Sequence, residues 1–259
     1  MAASESDFNL KVVLVSFKQC LNEAEEVQLD HYLAGWRGLV RCVGETSARR
    51  QALLATVPGR SRQAALCPED GGGVPCPEVS AYTPHRFLNS LGAIFSFISK
   101  DVATKVQIME GLCGGPGREH YSTLQSMVAY EVGHKLVDLE RRARYPDSGC
   151  RTVLRLHRAL RWLQLFLEGL RTSPEDASTA TLCTESYNAS LAAFHPWIVR
   201  RAVTVAFCTL PARRAFLEAM NVGPPEQAVE MLSEALPFIE RVYSISQKLY
   251  AEHALLGLP

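Results

Sequence analysis

Apolar side chains recur along this chain with the spacing of an α-helix. Between residues 8 and 17 they cover one broad face of a predicted helix. Apolar stripes with the same spacing run through four further segments: residues 91–109, 121–144, 151–171 and 189–210. No segment alternates apolar and polar positions with the two-residue period of a strand. The pattern therefore predicts an all-α protein.

Prolines and capping residues mark where further helices begin. Residues 173–176 have the sequence of a helix start, with a serine cap, a proline in the first position and two acidic residues. The two prolines within residues 224–226 predict the start of a last helix that runs toward His253. Pro196 interrupts the 189–210 stripe, so it predicts a bend or a helix start there.

Residues 42–86 break the helical pattern. These 45 residues contain ten glycines and prolines, whereas the other 214 residues contain 21, which is about half that density. A glycine- and proline-rich run of this length is rare within a compact domain. We therefore interpret residues 1–259 as a single domain that contains a disordered insertion at 42–86. A separate functional module is the alternative for this segment.

The overall composition is that of a globular protein. Basic and acidic residues number 27 each, so the formal net charge is zero, which argues against a dedicated nucleic-acid binder. No run approaches the roughly 18 apolar residues that a membrane span needs. The small, acidic start at residues 1–7 differs from the basic start of a signal peptide. We therefore expect a cytosolic protein.

Metal, cofactor and catalytic signatures are missing from the sequence. The eight cysteines form no C-x-x-C pair, and we expect reduced thiols. Cys67, Cys76 and His85 are too widely spaced for a compact zinc site. No nucleotide loop, nucleophile elbow or zinc-protease motif occurs. The sequence therefore predicts a protein that is not an enzyme and needs no cofactor.

One candidate for binding chemistry is the pair Asp101 and Lys105. Four residues apart on a predicted helix, they share a face. An isolated pair of this kind is usually a surface ion pair worth a few tenths of a kcal/mol. Here the flanking positions on both sides are apolar. The pair therefore also fits the edge of a core or pocket.

A second candidate is a cluster of arginines. Residues 141–161 contain seven arginines and one acid, Asp147, which gives this stretch a local charge of +6. Arg151, Arg155 and Arg158 fall on one helix face, where like charges repel one another. Guanidinium groups fit phosphate oxygens, so an anionic partner would relieve this repulsion. A solvated face and a small nucleic-acid site are the alternatives.

The third candidate is His195. It lies in an apolar stretch next to Trp197, and a lone histidine there is most often a core residue with its hydrogen bonds satisfied. Trp197 suits either a core or a membrane interface.

These features together resemble the glycolipid transfer protein family. The phrase Phe194-His195-x-Trp197-Ile198-Val199 is similar to that family's signature. So is Asp101 on an early helix with a polar residue four positions later. The resemblance covers residues 1–41 and 87–259. It implies a two-layer sandwich of about eight helices that encloses an apolar lipid pocket with a polar recognition centre at its mouth.

The resemblance also implies roles for five residues. Asp101 would accept hydrogen bonds from a sphingoid amide and hydroxyl, and His195 would donate to the acyl carbonyl. Phosphate-selective members carry a lysine where this chain has Lys105, and Arg151 and Arg155 match their phosphate-binding arginines. Three further residues have implied roles near the site: Arg142 as a supporting arginine, Trp162 near the sugar-stacking position of other members, and Trp197 in membrane docking.

The implied function is non-enzymatic transfer of ceramide 1-phosphate between membranes. The protein would act as a monomer in the cytosol and would transiently contact the cytosolic faces of membranes such as the Golgi, endosome and plasma membrane. Three alternatives stay open. The chain could be a sensor or adaptor that binds the same lipid, a transfer-deficient splice form that carries residues 42–86, or a small nucleic-acid binder.

Overall fold

Helices form all the regular secondary structure in the described part of the chain. The computed structural model describes residues 10–38, 100–137, 148–208, 210–219 and 224–259. Only two isolated β-bridges, Leu21 with Val27 and Gln28 with Thr123, accompany the helices there. The prediction of an all-α protein is confirmed. The predicted insertion at 42–86 lies outside the described residues.

Nine α-helices occupy these described ranges. They are α1 (Leu10–Lys18), α2 (29–38), α3 (100–114), α4 (Leu124–Gly133), α5 (Gly149–Thr172), α6 (Thr179–Asn188), α7 (Trp197–Phe207), α8 (Arg213–Ala219) and α9 (Pro225–Glu252). Two short 3₁₀ helices span Arg118–His120 and Leu191–Phe194. The second of these replaces the first part of the predicted 189–210 helix.

Two of the predicted helix starts are confirmed. Pro224 caps α9, and Pro225 occupies its first position, where the missing N–H costs nothing. Pro196 caps α7, so it marks a helix start.

The predicted helix start at residues 173–176 is wrong. Ser173 instead caps the end of α5, because its N–H donates to the carbonyl of Gly169 at 3.0 Å. A single turn follows, and the carbonyl of Ala177 accepts a hydrogen bond from the distant N–H of Arg213. Helix α6 begins at Thr179, where the Ser178 hydroxyl caps it by accepting from a backbone N–H.

The helix predicted over 121–144 ends earlier than expected. Lys135 adopts a left-handed backbone conformation with φ of 54°. The Leu136 N–H then donates to the Glu131 carbonyl at 2.8 Å, and the Lys135 N–H donates to the Val132 carbonyl at 3.1 Å. This pair of bonds is a Schellman motif, which terminates a helix. The remainder of the predicted stripe, from residue 138 to 144, lies outside the described residues.

Helix α5 is the centre of the described structure. It packs against α4, α6, α9 and the 3₁₀ helix Leu191–Phe194. Its apolar side chains form much of the core, including Val153, Leu154, Leu156, Leu160, Leu167 and Leu170. Burying each such side chain stabilises the fold by about 1.5–3 kcal/mol. The orientation of α5 therefore decides where its polar face lies.

A buried carboxylate from α4 caps the start of α5. The Glu131 oxygens accept hydrogen bonds from the backbone N–H groups of Gly149 (2.7 Å) and Cys150 (3.0 Å), and from the Tyr121 hydroxyl (3.1 Å). A Cβ atom at position 149 would lie 2.5 Å from the Met127 sulfur and 2.9 Å from Glu131 Oε1. Glycine at this position therefore allows the close approach of α4 to α5.

The other end of α5 is also held by a buried charged group. The Arg213 Nε donates to the Leu170 carbonyl at 2.6 Å. A cation is favourable at this end because the helix carbonyls give it a partial negative charge. This contact fixes α8 against the C-terminal turn of α5.

His157 is a buried neutral group between α5 and α9. Its Nε2 lies 2.7 Å from Gln247 Oε1, and its ring stacks on Tyr243 with the centroids 4.2 Å apart. The pKa of His157 is lowered from 6.5 to about 4, mainly by burial; the Gln247 bond opposes the shift and the nearby Arg158 adds to it. The folded protein therefore holds this imidazole uncharged at neutral pH.

We expect His157 to make folding stability fall as the pH is lowered from 6.5 toward 4. In that window the imidazole of the unfolded chain binds a proton that the folded chain does not, so acid favours unfolding. The loss approaches about 3 kcal/mol near pH 4. Urea unfolding at pH 7 and pH 5 measures it. His157→Gln should flatten this dependence, whereas the exposed control His253→Gln should keep it. A slope that is unchanged in His157→Gln contradicts the assignment.

Candidate functional site: a polar cluster beside the arginine face of α5

The predicted pair Asp101 and Lys105 lies at the boundary between core and solvent. The Lys105 Nζ is 2.5 Å from Asp101 Oδ1. The lysine side chain is 12% exposed and the aspartate side chain 59% exposed. Val102 and Val106, on the same helix, are buried in the core. Helix α3 thus keeps the stem of the lysine dry while its charged end meets the carboxylate, as predicted for a pair at the edge of a core.

His195 lies close to this pair in the structure. It follows the 3₁₀ helix Leu191–Phe194, precedes Pro196 and is half-buried. Burial lowers the pKa of its imidazole; the charge of Asp101 raises that pKa and the charge of Lys105 lowers it. These electrostatic interactions show that the three predicted side chains are neighbours, although His195 is 94 residues from Asp101 along the chain.

The predicted arginines lie on one face of α5. Arg151 is in the first turn and only 8% exposed, whereas Arg155, one turn later, is exposed. An Nη of Arg155 lies 3.5 Å from the main-chain oxygen of Pro259. Since Arg158, on the same face, contacts the ring of Phe194, the arginine face reaches the turn that carries the histidine.

Arg158 has a structural role that the sequence did not indicate. One Nη donates to the carbonyl oxygens of Leu256 and Leu258, both at 2.9 Å. The guanidinium carbon also lies 4.0 Å from the centre of the Phe194 ring, which is a cation–π contact. Arg158 therefore ties residues 255–259 to α5 and to the residue before His195. The sequence grouped it with Arg155 because both have the same type and share a face.

Tyr187 is a site residue that sequence analysis missed. Its hydroxyl lies 2.7 Å from His195 Nδ1. It is in the last turn of α6, and its side chain is buried. No sequence pattern marks it, since the contact depends on how α6 and the following turn fold back on each other.

Helix α7, which follows His195, presents apolar side chains to solvent. Trp197, Ile198 and Val205 are all exposed, as are the two arginines at 200 and 201. The large exposed area of these side chains is typical of a surface that contacts another apolar phase. The exposure of Trp197 excludes a place in the core for this side chain.

A cleft of about 650 Å³ lies elsewhere, between α2, the end of α3 and the segment that follows it. Its lining includes Arg37, whose Nε forms an ion pair with Glu110 at 2.6 Å, and Arg118. None of the five predicted site residues lines this cleft. The predicted site is therefore a separate feature.

The described part of the chain contains neither a cluster of metal ligands nor a membrane-spanning helix. No group of three or more histidine, cysteine or acidic side chains there could hold a metal ion. No helix there is long and apolar enough to cross a bilayer. The residues Cys67, Cys76, His85 and Arg142 lie outside the described ranges.

Known proteins resemble this chain over nearly its whole length. The family described as Glycolipid transfer protein (GLTP) matches residues 81–222. A ceramide-1-phosphate transfer protein from Bos taurus is 68% identical over 255 residues, which cover 98% of each chain. The Homo sapiens ceramide-1-phosphate transfer protein is 63% identical over 259 residues, covering 100% of each.

A solved structure of one of these relatives has a similar fold. The crystal structure of human ceramide-1-phosphate transfer protein in complex with 12:0 ceramide-1-phosphate has a TM-score of 0.75 and 64% identity. The match covers 98% of this chain and 100% of that chain. The helical fold predicted from the family resemblance is confirmed, and the chain belongs to the glycolipid transfer protein family.

Proposed function

We propose that this protein carries ceramide 1-phosphate between membranes and catalyses no reaction. The observation that carries the proposal is the convergence of Asp101, Lys105 and His195 beside the arginine face of α5. Relatives with more than 60% identity are named for ceramide 1-phosphate transfer, and one of them has been crystallised with that lipid. Carrying a lipid from one membrane to another breaks no covalent bond, which agrees with a site that has no nucleophile.

In this proposal three cations bind the phosphate. A phosphomonoester carries nearly two negative charges and three strong acceptor oxygens. Lys105, Arg151 and Arg155 supply the donors, and each charge-assisted hydrogen bond contributes about 1.5–3 kcal/mol. The backbone N–H groups of Gly149 and Cys150 at the start of α5 already bond to a carboxylate. Phosphate recognition therefore depends on side chains.

The other two side chains recognise the amide of the lipid. We assign Asp101 as acceptor for the amide N–H and the sphingoid hydroxyl, and His195 as donor to the acyl carbonyl. In the structure, the Asp101 carboxylate accepts a hydrogen bond from Lys105 at 2.5 Å. Lipid binding would give that lysine a phosphate partner and leave the carboxylate oxygens to the amide and the hydroxyl. Lipid binding would thus replace the ion pair between Lys105 and Asp101 with one bond from Lys105 to the phosphate and bonds from the lipid amide and hydroxyl to Asp101.

The lipid chains need a dry environment during transfer. Each methylene that leaves the bilayer for water costs about 0.8 kcal/mol, so a 16-carbon chain faces roughly 12 kcal/mol. We propose that the chains enter the interior along a row of aromatic side chains that begins at Tyr187. Its ring meets Phe207 edge-on with centroids 5.8 Å apart, Phe207 stacks on Trp162 at 6.2 Å, and Trp162 stacks on Phe166 at 6.1 Å.

Helix α7 is the proposed membrane contact. Its exposed tryptophan suits the interface between lipid headgroups and acyl chains. The exposed arginines at positions 200 and 201 add attraction to anionic lipids. Because α7 begins two residues after His195, docking through α7 would bring the recognition site to the membrane surface. We place the protein in the cytosol as a monomer, with transient contact with membranes such as the Golgi, endosome and plasma membrane.

A vesicle transfer assay tests the headgroup assignment. We expect ceramide 1-phosphate to move faster than a neutral glycosphingolipid. Lys105→Ala and Arg151→Leu should each slow ceramide 1-phosphate transfer by about 10-fold or more, the effect of losing one charge-assisted bond. Arg118→Leu, which removes an exposed cation outside the site, is the matched control and should transfer normally. Faster glycolipid transfer by the unsubstituted protein, or unchanged rates in both site variants, contradicts the assignment.

Vesicle sedimentation tests the proposed docking helix. We expect Val205→Asp to reduce binding to vesicles containing anionic lipid by about 10-fold, because a buried valine contributes about 1.5–3 kcal/mol and a carboxylate is repelled. Val15→Asp is the control, since Val15 is an exposed valine on α1. Equal loss of vesicle binding in both variants, with normal thermal unfolding, argues against α7 as the contact.

The domain organisation and the competing functions are tested by deleting residues 42–86. We propose that residues 1–259 form one lipid-transfer domain in which 42–86 are an insertion, and we expect the full chain to transfer lipid at a rate similar to the deleted one. Transfer by the deleted chain alone identifies the full chain as a transfer-deficient form. Lipid binding without transfer by either chain favours the sensor or adaptor. A filter-binding assay at physiological salt tests the nucleic-acid alternative.

A further inference from the structure

We infer that Tyr187 is a positioning residue that holds His195 in the tautomer with its proton on Nε2. The hydroxyl of Tyr187 lies 2.7 Å from His195 Nδ1, which is a short, direct hydrogen bond. The inference rests on the proposed function only in assigning what Nε2 then binds. The tautomer itself can be measured in the lipid-free protein.

A phenol O–H is a stronger hydrogen-bond donor than an imidazole N–H, and an imidazole nitrogen is a stronger acceptor than a phenol oxygen, so the bond runs from Tyr187 to His195. Burial raises the pKa of Tyr187, although Arg200 opposes the shift, so the phenol keeps its proton at neutral pH and can donate it. Burial also lowers the pKa of His195, so the imidazole is neutral and has one nitrogen free to accept. With Nδ1 as the acceptor, the single ring proton must lie on Nε2.

Tyr187 is held rigidly enough to fix the tautomer of His195. Its side chain is 2% exposed, and its ring packs edge-on against Phe207 of α7. Helix α6, which carries it, packs against both α5 and α7. The hydroxyl therefore approaches the histidine from a fixed direction, and the rings of Tyr187 and His195 are 5.7 Å apart, tilted by 34°.

The charged groups around His195 do not select between the two tautomers of its imidazole. Asp101 and Lys105 act on the imidazole from α3 with opposite effects on its pKa, and within the described structure neither forms a hydrogen bond with it. A neutral imidazole without the tyrosine would distribute its proton between the two nitrogens. In the Nδ1–H form, Nε2 is an acceptor and repels a carbonyl oxygen. Tyr187 thus favours ligands that present an acceptor at this point, as an N-acylated sphingoid phosphate does.

Nitrogen-15 NMR of histidine-labelled, lipid-free protein tests the tautomer. We expect His195 to show a protonated Nε2 and an unprotonated Nδ1, and Tyr187→Phe to shift both signals toward their average. Tyr243→Phe is a matched control, because Tyr243 stacks on His157 while its hydroxyl bonds to Gln247 at 3.4 Å. A proton on Nδ1 in the unsubstituted protein, or an unchanged pattern in Tyr187→Phe, overturns the inference. If Tyr187→Phe fails to fold, the spectrum of the unsubstituted protein still decides.

Lipid binding tests what the tautomer does. We expect Tyr187→Phe to weaken binding of ceramide 1-phosphate about 5- to 10-fold and to leave binding of sphingosine 1-phosphate, which lacks the acyl carbonyl, nearly unchanged. Equal effects on the two lipids, or no effect on either, overturn the positioning role. Failure of the unsubstituted protein to bind ceramide 1-phosphate refutes the proposed function instead, and the NMR experiment then decides the tautomer on its own.

Discussion

The contact between the Glu131 carboxylate and the first N–H groups of α5 anchors the helix that carries the proposed phosphate-binding arginines. A buried carboxylate is costly unless hydrogen bonds satisfy it, and here two backbone donors and the Tyr121 hydroxyl do so. The N-terminal end of a helix carries a partial positive charge that favours an anion and disfavours a cation. The Glu131 carboxylate is therefore favourable at this end of α5. It also locks α4 against the helix that bears the proposed phosphate ligands.

Beyond that anchored end, the successive turns of α5 position the other arginines of the proposed site. Arg155 follows Arg151 by one turn and stays exposed, while Arg158 bonds to carbonyls near residue 257 and covers the Phe194 ring. Two neighbouring arginines on one face thus differ, because Arg158 makes two hydrogen bonds of 2.9 Å to backbone carbonyls, whereas Arg155 is exposed and makes one contact of 3.5 Å with the Pro259 oxygen. The contact between Arg158 and Phe194 fixes the turn before His195 against α5. A shift of α5 would consequently move the arginines and the histidine together.

Sequence periodicity could predict what depends on local patterns, namely the helical class, the starts of α7 and α9, and the shared face of Asp101 and Lys105. Periodicity failed where a residue far along the chain determined the local structure. The false start at residues 173–176 arose because the Ala177 carbonyl accepts from Arg213, far along the chain. The location of His195 near Asp101 was expected only from the family resemblance. The role of Tyr187 could not be predicted, because its contact with His195 comes from tertiary packing rather than from any repeating sequence pattern.

A carrier must hold its lipid firmly and also release it, and the burial of the site residues fits both needs. Lys105 and Arg151 are nearly buried, with 12% of the lysine side chain and 8% of Arg151 exposed, so their bonds to a phosphate would form in a poorly hydrated environment. The side chains of Asp101 and Arg155, in contrast, are exposed. Water can compete for those two groups, which weakens their hold without removing selectivity. In the proposed site the buried cations would discriminate between headgroups, and the exposed Asp101 and Arg155 would let the lipid leave. The ion pair between Lys105 and Asp101 supports the same argument, since it gives the lysine a partner when the lipid departs and avoids a buried, uncompensated charge.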